Sequence, residues 1–165
     1  MNVRRFQFGW GRLDRLTLVD GGVIQADVST SVWESSSGRE VLVVRGHKGW
    51  VRWAAFSPDG RLIVTASEDR TAKIWAIDTG RVIRTLKGHS GWVVWAMFSP
   101  DGRSIVTASD DGTARAWEVD SGRETHSFKG HSNGVYSAVL SPDGRSIVTA
   151  SVDGTVRIWR ADPWR

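Results

Sequence analysis

The stretch of sequence that decides the fold reads GHKGWVRWAAFSPDGRLIVTASEDRTAKIWAIDTGRVIRTLK and covers residues 46–87. It returns twice in altered form, over residues 88–129 and 130–165. Three landmarks recur at a spacing of about 42 residues: a Gly-His pair, the run Ser-Pro-Asp-Gly-Arg and a single tryptophan. A period of roughly 40–45 residues is typical of supersecondary units that stack side by side, because none of them can bury its apolar face alone.

Each copy contains short runs that predict β-strands. In the first copy, the runs are rich in β-branched and aromatic side chains and cover residues 51–56, 62–67, 71–75 and 81–86. Turn residues separate them. In the Ser-Pro-Asp-Gly turn, proline presets its own φ, aspartate bonds its own backbone and glycine accepts a positive φ. Four antiparallel strands joined by such turns predict one meander sheet for each repeat.

This combination of motifs resembles the WD-repeat (WD40) β-propeller family. The matching pieces are Gly-His, Ser-Pro-Asp-Gly, Ser-x-Asp-x-Thr and the tryptophan, in that order, and three copies cover residues 46–161. The literal Trp-Asp pair is absent, since Trp75, Trp117 and Trp159 are followed by Ala, Glu and Arg. The resemblance implies an all-β propeller of about four blades, each of four antiparallel strands.

A single propeller domain is expected over residues 1–165, with three clear repeats and one degenerate blade. The degenerate blade is predicted because Asp27 and Trp33 stand one period before Asp69 and Trp75. The predicted ranges are 10–45 for the degenerate blade and 46–87, 88–129 and 130–165 for the clear repeats.

The last repeat has only three predicted strands. In the resembled family, the first strand of the chain often fills the missing place, so residues 1–9, with Val3–Phe8 at their centre, are the candidate closing strand. The family mostly builds rings larger than four blades. Two chains joined head to tail would give eight blades and leave no apolar blade face or strand edge exposed. We therefore expect a homodimer in which Val3–Phe8 of one chain completes the last blade of the other.

A recurring set of polar residues has the composition of a hydrolase triad, as in His47, Ser67 and Asp69. An enzyme rarely needs three equivalent sites in one small domain, so the recurrence disfavours a hydrolase. The family resemblance implies a structural hydrogen-bonded chain in which the histidine bonds the turn aspartate, the serine bonds the histidine and the indole bonds the serine. We expect no catalytic residue, cofactor or metal. The residues assigned to these chains are His47, Ser67, Asp69, Trp75, His89, Ser109, Asp111, Trp117, His131, Ser151, Asp153 and Trp159.

A second group of positions lies around the start of the first strand and just before the turn aspartate of each repeat. By family resemblance these positions face the top entrance of the central channel, where members bind partners. Their residue types vary between copies, which an asymmetric binding surface would produce, although neutral drift at exposed sites predicts the same. The tryptophans among them are either interaction anchors or covers for the loop. The predicted partner-binding residues are Trp50, Arg52, Glu68, Trp92, Val94, Asp110, Tyr136 and Val152.

Composition excludes several classes of protein. The 165 residues hold no cysteine, which excludes disulfides and thiolate metal sites and favours a reducing compartment, here the cytoplasm. No apolar run reaches the ~18 residues of a membrane span, and the first residues have no apolar signal region. The net charge is +4, and arginines recur once or twice per repeat, as in Arg61, Arg103 and Arg145. Positive charge dispersed in this way disfavours a nucleic-acid surface.

The sequence therefore favours a non-catalytic protein-interaction scaffold that binds a protein or peptide. Three alternatives stay open. One is a basic nucleic-acid-binding propeller, and another is a hydrolase that uses one of the His-Ser-Asp sets. The third is a fragment or assembly unit of a larger propeller.

Overall fold

The computed structural model describes residues 16–18, 24–26, 29–33 and 36–160, and every regular element in these ranges is a β-strand. The predicted closing strand at Val3–Phe8 lies outside the described residues. The strands are β1 (Leu16–Leu18), β2 (Ile24–Ala26), β3 (Ser29–Trp33), β4 (Glu40–Arg45), β5 (Val51–Phe56), β6 (Leu62–Ser67), β7 (Thr71–Ala76), β8 (Val82–Lys87), β9 (Val93–Phe98), β10 (Ser104–Ser109), β11 (Thr113–Glu118), β12 (Glu124–Lys129), β13 (Val135–Leu140), β14 (Ser146–Ser151) and β15 (Val156–Arg160).

The strands form consecutive antiparallel meanders, as the repeat predicted. Strands β5–β8 form one four-stranded sheet and β9–β12 form the next, while β13–β15 form a three-stranded sheet. The region of the predicted degenerate blade contains two hairpins, β1–β2 and β3–β4. This all-β arrangement confirms the WD-type propeller fold.

Local sequence explains where the strands begin and end. Strands β5 and β6 have the predicted bounds, β7 runs one residue further, and β8 starts one residue later than predicted. In the turn after β5, the Ser57 hydroxyl donates to Asp59 Oδ1 at 2.6 Å and the Gly60 amide donates to the Ser57 carbonyl at 2.9 Å. Gly60 has a φ of 71°, which glycine adopts at little cost. The turn thus closes through its own side chains.

The core lies between successive sheets. Val64 and Ile74 of the β5–β8 sheet pack in one buried cluster with Val93, Ala96 and Phe98 of β9. A second cluster joins the β9–β12 sheet to β13 in the same way, and a third joins β3 and β4 to the β5–β8 sheet. The β3–β4, β5–β8 and β9–β12 sheets therefore each bury one face against the first strand of the following repeat.

The first strand of each clear repeat contains a β-bulge near its start. The pairing with the second strand shifts between Val51 and Trp53, and the equivalent shifts skip Val94 and Tyr136. The residue left over in the first repeat is Arg52. Bulges redirect side chains at sheet ends, so these three predicted rim residues occupy positions outside the regular ladder.

Candidate functional site

Each clear repeat contains a chain of four polar side chains, most of them buried, which we call the polar chain. In the second repeat, the Nδ1 atom of His89 lies 2.8 Å from Asp111 Oδ2, and its Nε2 atom lies 2.8 Å from Thr107 Oγ1. Trp117 Nε1 donates to the same threonine oxygen at 2.9 Å. The polar chain therefore ties the loop before β9 to strands β10 and β11 and to the turn between them.

The other two repeats build the same polar chain with nearly the same geometry. The histidine–aspartate distance is 2.8 Å in both. The histidine–threonine distances are 2.7 and 2.8 Å, and the indole–threonine distances are 2.8 and 2.9 Å. The members are His47, Thr65, Asp69 and Trp75 in the first repeat and His131, Thr149, Asp153 and Trp159 in the third.

A threonine occupies the place in the polar chain that we assigned to a serine. The assignment of Ser67, Ser109 and Ser151 to the centre of the chain is wrong, whereas the histidines, aspartates and tryptophans do meet. The Ser67 hydroxyl instead donates to the carbonyl of Gly49 at 2.9 Å and accepts from the Asp69 amide at 3.2 Å. In the later repeats, the serine oxygen accepts the equivalent amide at 3.1 Å. The serine closes the turn at the end of its strand.

Strand register explains the exchange. Thr65 and Ser67 lie two residues apart in β6, so both side chains project from the same face of the sheet. Trp75 pairs with Ile63, which is nearer along β6 to the threonine than to the serine. The sequence did carry the missing signal, because a threonine recurs at this position in each repeat with the same period, as Thr65, Thr107 and Thr149.

Donor and acceptor capacity sets the direction of the polar chain. An indole N–H can only donate, so the threonine oxygen accepts from it and has one proton left to give. In the first repeat the Asp69 carboxylate can only accept, so Nδ1–H of His47 donates to it, and Nε2 of a neutral imidazole then accepts the Thr65 proton. Burial lowers the pKa of His47 below its ordinary value despite the neighbouring Asp69 carboxylate, which matches a neutral imidazole.

The aspartates are held in the ionised form. Burial pushes the pKa of Asp69 upward, but hydrogen bonds from Thr71, the Lys48 amide and His47 outweigh it and lower the pKa. The Thr71 hydroxyl donates to Oδ1 at 2.6 Å, and the Lys48 amide donates to Oδ2 at 2.9 Å. The pKa of Asp111 is lowered in the same way, against burial, by hydrogen bonds of which the strongest comes from His89. Each carboxylate therefore anchors the loop that carries the histidine.

The polar chains offer no reacting atom to a substrate. Thr65, Thr107 and Thr149 are fully buried. The side chains of the three histidines are at most 2% exposed. Each threonine hydroxyl already accepts from an indole and lies within hydrogen-bond distance of the imidazole Nε2. The arrangement can hold a loop, two strands and a turn together, and its atoms lie out of reach of a bound molecule.

Trp50, Arg52, Glu68 and Trp92, four of the predicted partner-binding residues, form a group beside strands β5 and β9, which we call the rim cluster. All but the half-buried Glu68 are exposed. Trp50 is 49% exposed and Trp92 is 45% exposed. The guanidinium carbon of Arg52 lies 5.7 Å from the ring centroid of Trp50 and 5.5 Å from that of Trp92. Arg52 also forms an ion pair with Glu68. Cation–π contacts of this kind hold side chains in place at a surface.

The other predicted partner-binding residues extend the same side of the sheets. A shallow depression next to the rim cluster is lined by Arg70, Ser90, Gly91, Trp92 and Asp110. In each repeat a backbone hydrogen bond ties the loop before the first strand to the position just before the turn aspartate. The remaining three residues are the half-buried Val94 and the exposed Tyr136 and Val152.

Trp53 and Trp95 differ from the rim tryptophans. Their rings stack at a centroid distance of 3.7 Å, and both side chains are half-buried against the core. Trp53 and Trp95 thus pack between the sheets, whereas Trp50 and Trp92, three residues earlier in each repeat, lie at the surface.

Within the described ranges, no group of histidine, aspartate and glutamate side chains has the arrangement of a metal site. These same residues include no helix of the length and hydropathy needed to cross a membrane.

Comparison with known proteins identifies the repeats. The model of the "WD domain, G-beta repeat" family (WD40) matches residues 38–76, 80–118 and 122–160, which is well over half of the chain. Nuclear distribution protein PAC1 of Yarrowia lipolytica is 43% identical over 47 residues, which are 28% of this chain and 10% of that protein. PAC1 of Arthroderma otae and nuclear distribution protein nudF 2 of Penicillium rubens are each 38% identical over 47 residues, which are again 28% of this chain and 10% of the relative. The matched stretch therefore spans only a small part of these relatives.

Proposed function

The chain belongs to the WD-repeat (WD40) family, and from that premise we propose that it is a non-catalytic protein-interaction scaffold. Its partner, a protein or peptide, docks on the rim cluster and the neighbouring depression. The observation that carries the proposal is the pair of exposed tryptophans, Trp50 and Trp92, held against Arg52. Tryptophan and arginine are the residue types that most often dominate binding energy at interfaces.

The preorganisation of the rim cluster supports this role. Arg52 contacts both indole rings and pairs with Glu68, so these long side chains already have restricted conformations. Binding then costs less conformational entropy than it would with free side chains. The depression beside Trp92 gives a partner side chain a place to enter, with Asp110 and Arg70 as charged groups at its edge.

A nucleic-acid partner is less well supported. Several arginines already have partners on the protein: Arg84 donates to the carbonyl of Asp120 at 2.8 Å, and Arg115 pairs with Glu124 at 2.7 Å. Arg52 likewise pairs with Glu68, so carboxylates of the protein balance the charges of Arg52 and Arg115. A duplex or single strand would need a stripe of unpaired cations to neutralise its phosphates.

Hydrolysis is disfavoured because the hydroxyls of the polar chains are buried and already bonded. The names of the relatives concern nuclear distribution, and their match to this chain is little longer than one repeat. That match supports the shared architecture, and the identity of the partner is a matter for experiment. The chain has no cysteine, which suits the reducing cytoplasm as its place of action.

The proposal is tested by capturing a partner with the full chain and measuring its affinity for single variants. Trp92→Ala should weaken binding by about 2 kcal/mol, roughly 30-fold in Kd, if the ring is an anchor. Ile83→Ala is the matched control, since Ile83 is an exposed apolar residue on the outer strand β8. An affinity that is unchanged by substitutions at every rim residue would place the interface elsewhere.

A further inference from the structure

The last sheet has an apolar face that nothing in the described part of the chain covers. Val139, Val148 and Ile158 are direct neighbours across β13, β14 and β15, and Ala150 pairs with Val156 in the next row. We call these five residues the β13–β15 face. Ile158 is 70% exposed, Val156 is 65% exposed, and Val139 and Val148 are each about 40% exposed.

The same positions are buried in the preceding repeats. Val106 stands one period and Val64 two periods before Val148, and both are 0% exposed. Ala116 and Ile74 precede Ile158 by one and two periods in the same way, and both are also 0% exposed. The sequence of the last sheet is therefore that of a covered blade, whereas its surroundings are those of an exposed one.

The molecule shows twice what covers such a face. The first strand of the following repeat lies on it and contributes apolar residues at its first, fourth and sixth positions. In β9 these residues are Val93, Ala96 and Phe98, and β13 supplies Val135, Ala138 and Leu140. The occupant of the β13–β15 face must present a strand with this spacing.

Strand β5 has the spacing too, but its central Ala54 is already buried in a cluster with Val32 and Val44. The sequence LDRLTL at residues 13–18 repeats the spacing with leucine at all three positions. Its last three residues form β1.

The pairing of β1 resembles that of β5, at a shorter spacing than the 42-residue period. Leu18 pairs with Ile24, as Phe56 pairs with Ile63 in the first clear repeat, and the two pairs are 38 and 39 residues apart in sequence. Trp33 follows in β3 at the position of Trp75. The N-terminal strands thus carry the residue pattern of a covering blade.

We propose that the β13–β15 face binds the N-terminal strands β1–β3 of a second copy of this chain, head to tail. The pairing continues the sheet-to-sheet packing already present inside the chain, and the same contact repeated by the second copy closes the pair with twofold symmetry. The outer edge of β15, which has no fourth strand among the described residues, is also brought next to the N-terminal region of the second copy. This interface lies on a sheet face and does not depend on the rim cluster.

Light scattering of the purified full chain tests the proposal. The expected mass is about 36 kDa, twice the 18.2 kDa chain. Ile158→Asp places a charge on the face and should yield the monomer mass, while Val82→Asp, at an exposed position on β8, should leave the dimer intact. Circular dichroism checks that both variants are folded, which is expected because both side chains are exposed. A wild-type monomer, or a folded I158D variant that stays dimeric, overturns the proposal.

Cross-linking tests the head-to-tail arrangement. The chain has no cysteine, so single cysteines can be introduced without background. A mixture of Ile158→Cys and Leu18→Cys chains should be joined by a short bis-maleimide, because the two sites lie at the same interface. Ile158→Cys alone should give little product. Efficient linkage of two I158C chains to each other, without linkage to L18C, would mean face-to-face packing and contradict the proposal.

Discussion

At the scale of single residues, the polar chain shows how a repeat stabilises its loop. His89, Thr107, Asp111 and Trp117 pair all of their polar side-chain atoms in one buried line. The sequence predicted three of the four types, because each recurs with the repeat. It did not distinguish Thr107 from Ser109, since both recur and both lie on one face of the strand. The choice between them depends on how far the indole reaches, and this follows from strand register.

Substitutions in the second repeat separate the two hydroxyls. Thr107→Val keeps the shape of the side chain and removes the hydroxyl, which leaves His89 Nε2 and Trp117 Nε1 buried without their partner. We expect a loss of about 1–3 kcal/mol in the free energy of unfolding, measured in urea. Ser109→Ala is the control and should lower the free energy of unfolding by less, because the Ser109 oxygen only accepts the Asp111 amide in the turn. A larger loss for Ser109→Ala than for Thr107→Val would restore the serine-centred chain.

The pH dependence of stability follows from the same groups. The pKa of folded His47 lies below its ordinary value, so just below pH ~6.5 the unfolded chain binds more protons than the folded chain. The free energy of unfolding therefore decreases as the pH is lowered through this range. A second loss is expected below pH ~4, where the lowered pKa values of Asp69 and Asp111 make the unfolded chain take up protons first.

Thermal unfolding in buffers from about pH 7.5 to 3 measures both losses. His47→Gln should flatten the first of them, since it removes the titrating imidazole. A melting temperature that rose on acidification from pH 7.5 to 5.5 would contradict a neutral buried histidine.

At the scale of strands and loops, the local sequence predicted most of the architecture. The bounds of β5 and β6 follow from β-branched runs that end at turn residues. The bulge at Arg52 was not predicted, because a bulge is a property of the pairing between two strands. The close approach at Gly49 and Gly91 also appears only in three dimensions. A Cβ atom on Gly91 would lie 2.6 Å from the Asp111 nitrogen.

That close approach predicts a steric penalty. Gly91→Ala should push the loop before β9 away from the turn after β10, at a cost of about 1–3 kcal/mol in unfolding free energy. It should also displace the neighbouring Trp92 and weaken partner binding. Ser90→Ala changes the adjacent, exposed residue and is the control. Equal urea midpoints for the two variants would show that the loop moves without cost.

At the scale of the whole molecule, similar repeats have different surroundings. Val148 and Ile158 have the same apolar character as their buried counterparts, and the structure identifies them as exposed side chains of the last sheet. Similarly, the rim tryptophans and the stacked pair of Trp53 and Trp95 have the same composition and different roles. The repeated motifs predicted the type of blade, and position in the array decides which surfaces are free.

The central claim is that the chain acts through the rim surface of a WD-repeat scaffold, and hydrogen exchange of the complex with a captured partner tests it most directly. Amides of the loops and first strands at residues 48–52, 90–94 and 132–136 should be protected on binding, because they carry or adjoin the rim cluster. Amides of the outer strands β8 and β12 should exchange as in the free protein. Protection confined to the outer strands, with the rim loops unchanged, would contradict the account.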